Sequence, residues 1–86
     1  MLEIETGNLF RRHFKKLPDE IKHKMAKREK FFINNPFDPR LGTHKLHGER
    51  KDEWAYEIDY SYRVTFMFLG GNMVFYTDVG THDQVY

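Results

Sequence analysis

Hydrophobic residues recur along this chain with two different periods, and each change of period marks an element. Leu2 and Ile4 alternate with Glu3 and Glu5, which predicts a short strand over Leu2–Glu5 ended by Thr6-Gly7-Asn8. Leu9, Phe10, His13, Phe14 and Leu17 then fall at helical spacing, predicting a helix over Leu9–Lys16 with Asn8 as its N-cap. Pro18-Asp19-Glu20 restarts the chain into a second helix over Pro18–Asn34, since proline suits a first turn and acids complement the helix dipole. Ile21, Met25 and Phe32 mark its buried face, and Pro36 disfavours helix at the residue before it. Two helices joined by almost no loop are expected to form an antiparallel hairpin.

Asn35 to Asp52 keeps no steady period, contains Pro36, Pro39, Gly42 and Gly48, and reads as a long ordered loop. Period-two alternation then predicts strands over Glu53–Asp59, Tyr62–Leu69 and Met73–Val79, the last two joined at Gly70-Gly71-Asn72. The order β-α-α-β-β-β predicts an α+β domain spanning residues 1–86. Its antiparallel sheet should carry the helical hairpin on one face. The helices should cover Tyr56, Ile58, Val64, Phe66 and Phe75 or their alternates, and Trp54 reads as core.

One domain of 86 residues buries only a modest core, and no cysteine supplies a disulfide or a thiolate metal site. The missing cysteines fit a reducing, cytoplasmic setting. The acidic start and the short apolar run Val64–Leu69 predict neither a signal peptide nor a membrane span. Net charge is only +1, but Arg11–Lys30 holds nine Lys or Arg against three acids, while Phe31 onward holds five against eight. A solvated helix face and a surface for nucleic acid or an acidic partner both account for that asymmetry.

The uncovered sheet face is where chemistry can gather. Alternation sends Glu57, Asp59 and Arg63 outward together, His82 and Tyr86 arrive from the tail, and His44, Lys45 and His47 arrive from the loop. Such a set suits cleavage of a phosphodiester by an internal 2′-hydroxyl. That reaction needs a base, a cation for the charge gathering on phosphorus, and an acid for the leaving oxygen. Tyrosine can stack on a base or orient the phosphate. Structural uses compete: Arg63 pairing with Glu57 or Asp59 across the hairpin, Val85 and Tyr86 stapling the tail, and His13, His23 and His47 as surface or boundary groups. Zinc is a further rival, because His44 and His47 lie three apart and His82-Asp83 could complete a site, but the expectation is for no metal and no cofactor.

Several runs converge in order and spacing. They are Lys16-Leu17-Pro18, Asn35-Pro36-Phe37-Asp38-Pro39-Arg40-Leu41, His44-Lys45-Leu46-His47-Gly48, Trp54, Tyr62-Arg63-Val64 and Val79-Gly80-Thr81-His82-Asp83 with Val85-Tyr86. Over nearly its whole length the chain resembles the RelE/ParE superfamily of small toxins from toxin–antitoxin pairs. The Gly-Thr-His run and the His before Lys45-Leu46 are most similar to its histidine-using, YafQ-like branch. That resemblance implies ribosome-dependent cleavage of messenger RNA, with His44, His82, Arg63 and Tyr86 as catalytic groups; Asp59 is added as a candidate base from its outward place on the strand, not from the resemblance. It also implies a cognate antitoxin as partner, a monomeric toxin when free and a higher-order complex with that antitoxin. Lys45, His47, Lys22, Lys27 and Lys30 are the expected RNA contacts. Glu57 and Asp59 stand where RelE-like members carry Lys, Arg or His, and Ser61 stands where YafQ-like members carry Asp. A relative that inhibits gyrase, or that only binds an antitoxin, is the alternative.

Overall fold

The computed structural model describes residues 1–86. Its elements run β1 (Glu3–Thr6), α1 (Asn8–Lys15), α2 (Asp19–Asn34), β2 (His44–Lys45), β3 (Trp54–Glu57), β4 (Tyr62–Gly70), β5 (Met73–Thr81) and a last turn, α3 (His82–Val85). Five strands form one sheet in the order β1-β5-β4-β3-β2. The β2–β3, β3–β4 and β4–β5 pairs are antiparallel, as expected. β1 departs from that pattern and pairs parallel with β5. It has no hairpin partner next to it in sequence, so no tight turn fixes its direction.

The predicted elements shift mainly at their ends. Gly7, not Asn8, is the N-cap of α1, and Asn8 is its first helical residue. α2 begins after Pro18 and ends at Asn34, with Asn35 extended ahead of Pro36. β5 runs on past Val79 because Gly80 and Thr81 pair with Arg63 and Tyr62. The loop is better ordered than its lack of period suggests. It holds short 3₁₀ turns at Pro39–Leu41 and Gly48–Arg50, with the edge strand β2 between them. Gly70 and Gly71 both take positive φ (101° and 58°), which lets β4 turn directly into β5.

Both helices pack on one face of the sheet. Phe10, Leu17, Ile21, Met25 and Phe32 join Tyr56, Ile58, Val64, Phe66, Val74, Tyr76 and Val79 in a single core. Phe32 lies at its centre, with ring centroids 4.7 Å from Tyr56 and 4.8 Å from Phe66. The Tyr56 and Tyr76 hydroxyls satisfy each other at 2.8 Å inside this core, and burial raises both phenols so that they stay protonated. On β5 the core takes the alternate set, Val74 and Tyr76, and Phe75 is only half-buried. The pairing of β4 with β5 slips by one residue between Thr65 and Phe66. That bulge returns Val79 to the core side, which strict alternation would not do.

The opposite face is closed at one end by α3. Val85 is buried there, and the chain can come this close because residue 80 has no side chain. A Cβ at Gly80 would sit 2.7 Å from Gln84 Oε1 and 3.2 Å from Gln84 Cβ. Gly80→Ala is therefore expected to push α3 off the sheet and to cost about 1–3 kcal/mol, the usual range for overpacking. Thermal unfolding measures the cost. Tail amides that exchange faster, with core amides unchanged, locate the damage in α3.

Candidate active site

The site grows from α3. Its His82 and Tyr86 are four residues apart, so the rings lie on the same side of one helical turn, with centroids 4.3 Å apart. The His82 N–H donates to the Ser61 carbonyl at 3.1 Å, and the Tyr86 N–H donates to the His82 carbonyl at 3.0 Å. The Tyr86 hydroxyl reaches across to His44 Nε2 at 2.8 Å. His44 Nδ1 faces the Gly42 carbonyl at 3.1 Å, and a carbonyl can only accept. Nδ1 therefore carries the proton, and Nε2 accepts from the phenol, which defines the tautomer of a neutral His44. Tail and loop thus place two imidazoles on one phenol.

Arg63 lies beside them. Burial holds the Tyr86 phenol above its ordinary value, and Arg63 is the strongest influence opposing that rise. The Arg63 guanidinium is largely enclosed. Nη1 donates to the carbonyls of Asp59 at 3.0 Å and Tyr60 at 3.1 Å, and Nη2 is 3.6 Å from Glu57 Oε1. Glu57 and Arg63 are direct cross-strand partners, so this ion pair follows from the register of β3 on β4. Gly42 makes room for it: its φ is +61°, and a Cβ there would collide with the Glu57 carboxylate.

Asp59 does not join the cluster, contrary to the expectation from alternation. β3 ends at Glu57, so the period of two no longer governs residue 59. The Asp59 carboxylate instead closes the β3–β4 turn, accepting from the N–H groups of Ser61 and Tyr62, both at 2.9 Å, with Lys24 of α2 at 3.5 Å. Burial pushes its pKa up, but those N–H groups and Lys24 outweigh it and hold the group below the usual carboxylate value. Asp59 orients Arg63 only through its main-chain carbonyl.

His44, Lys45, His47, Arg50 and Tyr86 line one open cavity of about 260 Å³. Lys45 lies over the Trp54 ring, 5.8 Å from its centroid. Lys22, Lys27 and Lys30 are elsewhere, on the helix that covers the other sheet face. Lys22 donates to the Lys15 carbonyl at 3.2 Å, and Lys27 and Lys30 are exposed. No group of three or more His, Cys, Asp or Glu is arranged to hold a metal. His82 and Asp83 come only to 3.7 Å.

Sequence reasoning missed Arg50 and Glu53. Arg50 Nε and Nη2 grip the Glu53 carboxylate at 2.8 and 2.9 Å, and Nη1 donates to the Val85 carbonyl. Glu53 also accepts from the Thr77 hydroxyl at 2.7 Å, which is 2.7 Å from that of Thr65. This chain of bonds ties the tail to three strands' worth of sheet. Its only trace in the sequence is an Arg near the end of the loop and a Glu three residues on, where the predicted strand begins.

No protein-family model and no curated protein sequence matches this chain. Solved structures do. YafQ from E. coli strain BL21(DE3) has a TM-score of 0.81 and 17% identity, over 100% of this chain and 99% of its own. YafQ within the E. coli DinJ–YafQ toxin–antitoxin complex has a TM-score of 0.78 and 17% identity, over 99% and 97%. A YoeB/ParE toxin from Agrobacterium tumefaciens has a TM-score of 0.78 and 12% identity, over 94% and 99%. The chain has the fold of the RelE/YafQ-like toxins.

Arg50 predicts how acid loosens the tail. Its hydrogen bond, aided by that of Thr77 and opposed by burial, holds Glu53 below its ordinary value of 4.5. A group lowered on folding contributes its stability in full above the unfolded value and loses it as pH falls through the folded one. The stability difference between wild type and Glu53→Gln should therefore be greatest above pH 4.5 and shrink as pH falls below it. Thermal midpoints of both proteins against pH measure this; a constant difference would mean that Glu53 does not titrate against Arg50.

Proposed function

We propose that this chain is the toxin of a toxin–antitoxin pair and that it cuts messenger RNA on the ribosome, using the RNA's own 2′-hydroxyl. The observation that carries this reading is the pair of imidazoles meeting on one phenol beside a sheltered arginine, on the open face of a toxin fold. His44 Nε2 takes the 2′-hydroxyl proton once Tyr86 yields its hydrogen bond to substrate. The freed oxygen attacks phosphorus, and Arg63 stabilises the extra negative charge as Glu57 is displaced from it. His82, an exposed imidazole, gives a proton to the departing 5′-oxygen. The products are a 2′,3′-cyclic phosphate and a 5′-hydroxyl. Tyr86 positions the phosphate or stacks on a base, and Lys45 and His47 line the approach. Asp59, fixed in its turn, takes no part as a base.

The helices supply the long-range attraction. Of the nine Lys and Arg between Arg11 and Lys30, only Lys24 makes an ion pair. Lys22, Lys27 and Lys30 are thereby available to ribosomal RNA phosphates, and a low net charge does not contradict a basic face. The partner in the resting cell is a protein antitoxin, as DinJ is for YafQ. The free chain is a cytoplasmic monomer that enters a higher-order complex with that antitoxin.

A second reading has one observation in its favour. Glu57 already occupies Arg63 and places a carboxylate where RNA phosphate would sit. A chain of that kind would bind its antitoxin, or act on another target, without cutting RNA.

A translation extract programmed with a reporter message, read by primer extension, separates the two. Wild type is expected to give defined cuts. His82→Ala and Arg63→Ala should each lower cutting by about a hundredfold or more, the usual contribution of an acid or charge-stabilising group. Antitoxin binding should survive in both. Intact message with folded wild type supports the second reading. Reversing the charges of Lys22, Lys27 and Lys30 together should weaken sedimentation with ribosomes and leave thermal stability within about 0.5 kcal/mol per site.

A further inference from the structure

We infer that a second cleft, on the other side of α3, binds the RNA strand next to the cut and so extends the proposed active site. It has a volume of about 350 Å³ and is lined by His13, Lys16, Pro18, Tyr62, Gly80 and Gln84, among others. No carboxylate lines it. This inference rests on the ribonuclease reading and deepens it.

Two of the polar groups in the cleft, His13 and Gln84, are anchored on one side and free on the other. His13 Nδ1 donates to Asp78 at 2.7 Å, which fixes the ring and leaves its Nε2 edge without a protein partner. Gln84 Oε1 accepts from the Thr81 N–H at 2.8 Å, so both amide hydrogens remain to donate. Lys16 makes no ion pair with any carboxylate and stands at the C-terminal end of α1. Tyr62 and Pro18 give the cleft flat apolar walls. A hollow rich in donors, free of acids and walled by an aromatic ring suits a nucleotide: phosphate oxygens for Lys16 and Gln84, a base face for Tyr62.

The position of the cleft favours RNA over an acidic peptide. α3 is a partition: His82 and Tyr86 lie on one side of its turn and Gln84, two residues on, points the other way. On the strands below, Tyr62 pairs with Thr81 and Arg63 with Gly80. Consecutive residues of β4 face opposite ways, so Tyr62 belongs to the cleft and Arg63 to the catalytic cluster. A strand of RNA that crosses the end of the sheet meets one site and then the other. It also runs on toward the basic helices, because Lys16 belongs to both the cleft and that surface.

The test uses the whole chain, labelled for NMR, with uncleavable 2′-O-methyl RNA of two lengths: a dinucleotide and an oligonucleotide several residues longer. The dinucleotide should move signals of Arg63, His82 and Tyr86, and the longer RNA should also move those of His13, Lys16, Tyr62 and Gln84. Lys16→Glu should weaken the longer RNA about tenfold and lower the slope of log affinity against log salt by about one, leaving the dinucleotide unchanged. Lys16→Gln should fall between the two. If the longer RNA leaves the cleft signals still, or Lys16→Glu weakens both RNAs alike, the inference is wrong while the catalytic cluster stands. RNA that moves only the cleft signals keeps the cleft and refutes the cluster. An acidic peptide that binds the cleft where RNA does not would make it a protein-binding site and overturn the proposal.

Discussion

Two helices can cover only one face of a five-stranded sheet, and the arrangement of this molecule follows from that shortage. The covered face holds Phe32, Tyr56, Phe66 and Tyr76 in continuous aromatic contact. On the uncovered face, the end carrying Ala55, Thr65 and Val79's neighbours would otherwise meet water. The chain closes that end with its last turn, burying Val85, and with the loop that brings in Leu46. Hydrophobic burial accounts for the coverage. The Arg50–Glu53 fork accounts for its geometry, because a bidentate guanidinium holding a carbonyl fixes direction as well as distance.

Closing the face this way brings chemistry with it. A tail ordered only for coverage would need Val85 alone. Here the same turn carries His82 and Tyr86, and the same loop carries His44, so that burying one small apolar residue assembles three titratable side chains. Charge is partitioned across the sheet in a matching way. On the open face the cations Arg50 and Arg63 are engaged by Glu53 and Glu57. On the helices every Lys and Arg except Lys24 lacks such a partner. The result is a preorganised, open site around an enclosed Arg63 on one side and a diffuse positive field on the other, which a net charge of +1 conceals.

Much of this was legible in the sequence, and the failures have identifiable causes. Period-two and helical spacing located β1, α1, α2, β3, β4 and β5, because Tyr56, Val64 and Phe66 report a half-buried sheet directly, but not the two-residue edge strand β2 or the last turn α3. The resemblance pointed to His44, His82, Arg63 and Tyr86, and the structure does gather them. Alternation failed at Asp59, where the strand has already ended and an Asx turn governs. It failed again after Thr77, where a bulge reverses the faces. The parallel pairing of β1 was beyond reach, since no local signal fixes the direction of a strand without a hairpin. Arg50, Glu53 and the His13–Asp78 pair were invisible for a similar reason: their partners are set by tertiary contact across up to 65 positions of chain.

The central claim is that the last turn is docked on the sheet with its phenol between two imidazoles. Nuclear Overhauser contacts in the free protein at neutral pH test it most directly. The account predicts contacts from the Tyr86 ring to the rings of both His44 and His82, with a slowly exchanging Tyr86 amide. Random-coil shifts and fast exchange over residues 82–86, with no ring contacts, would contradict it.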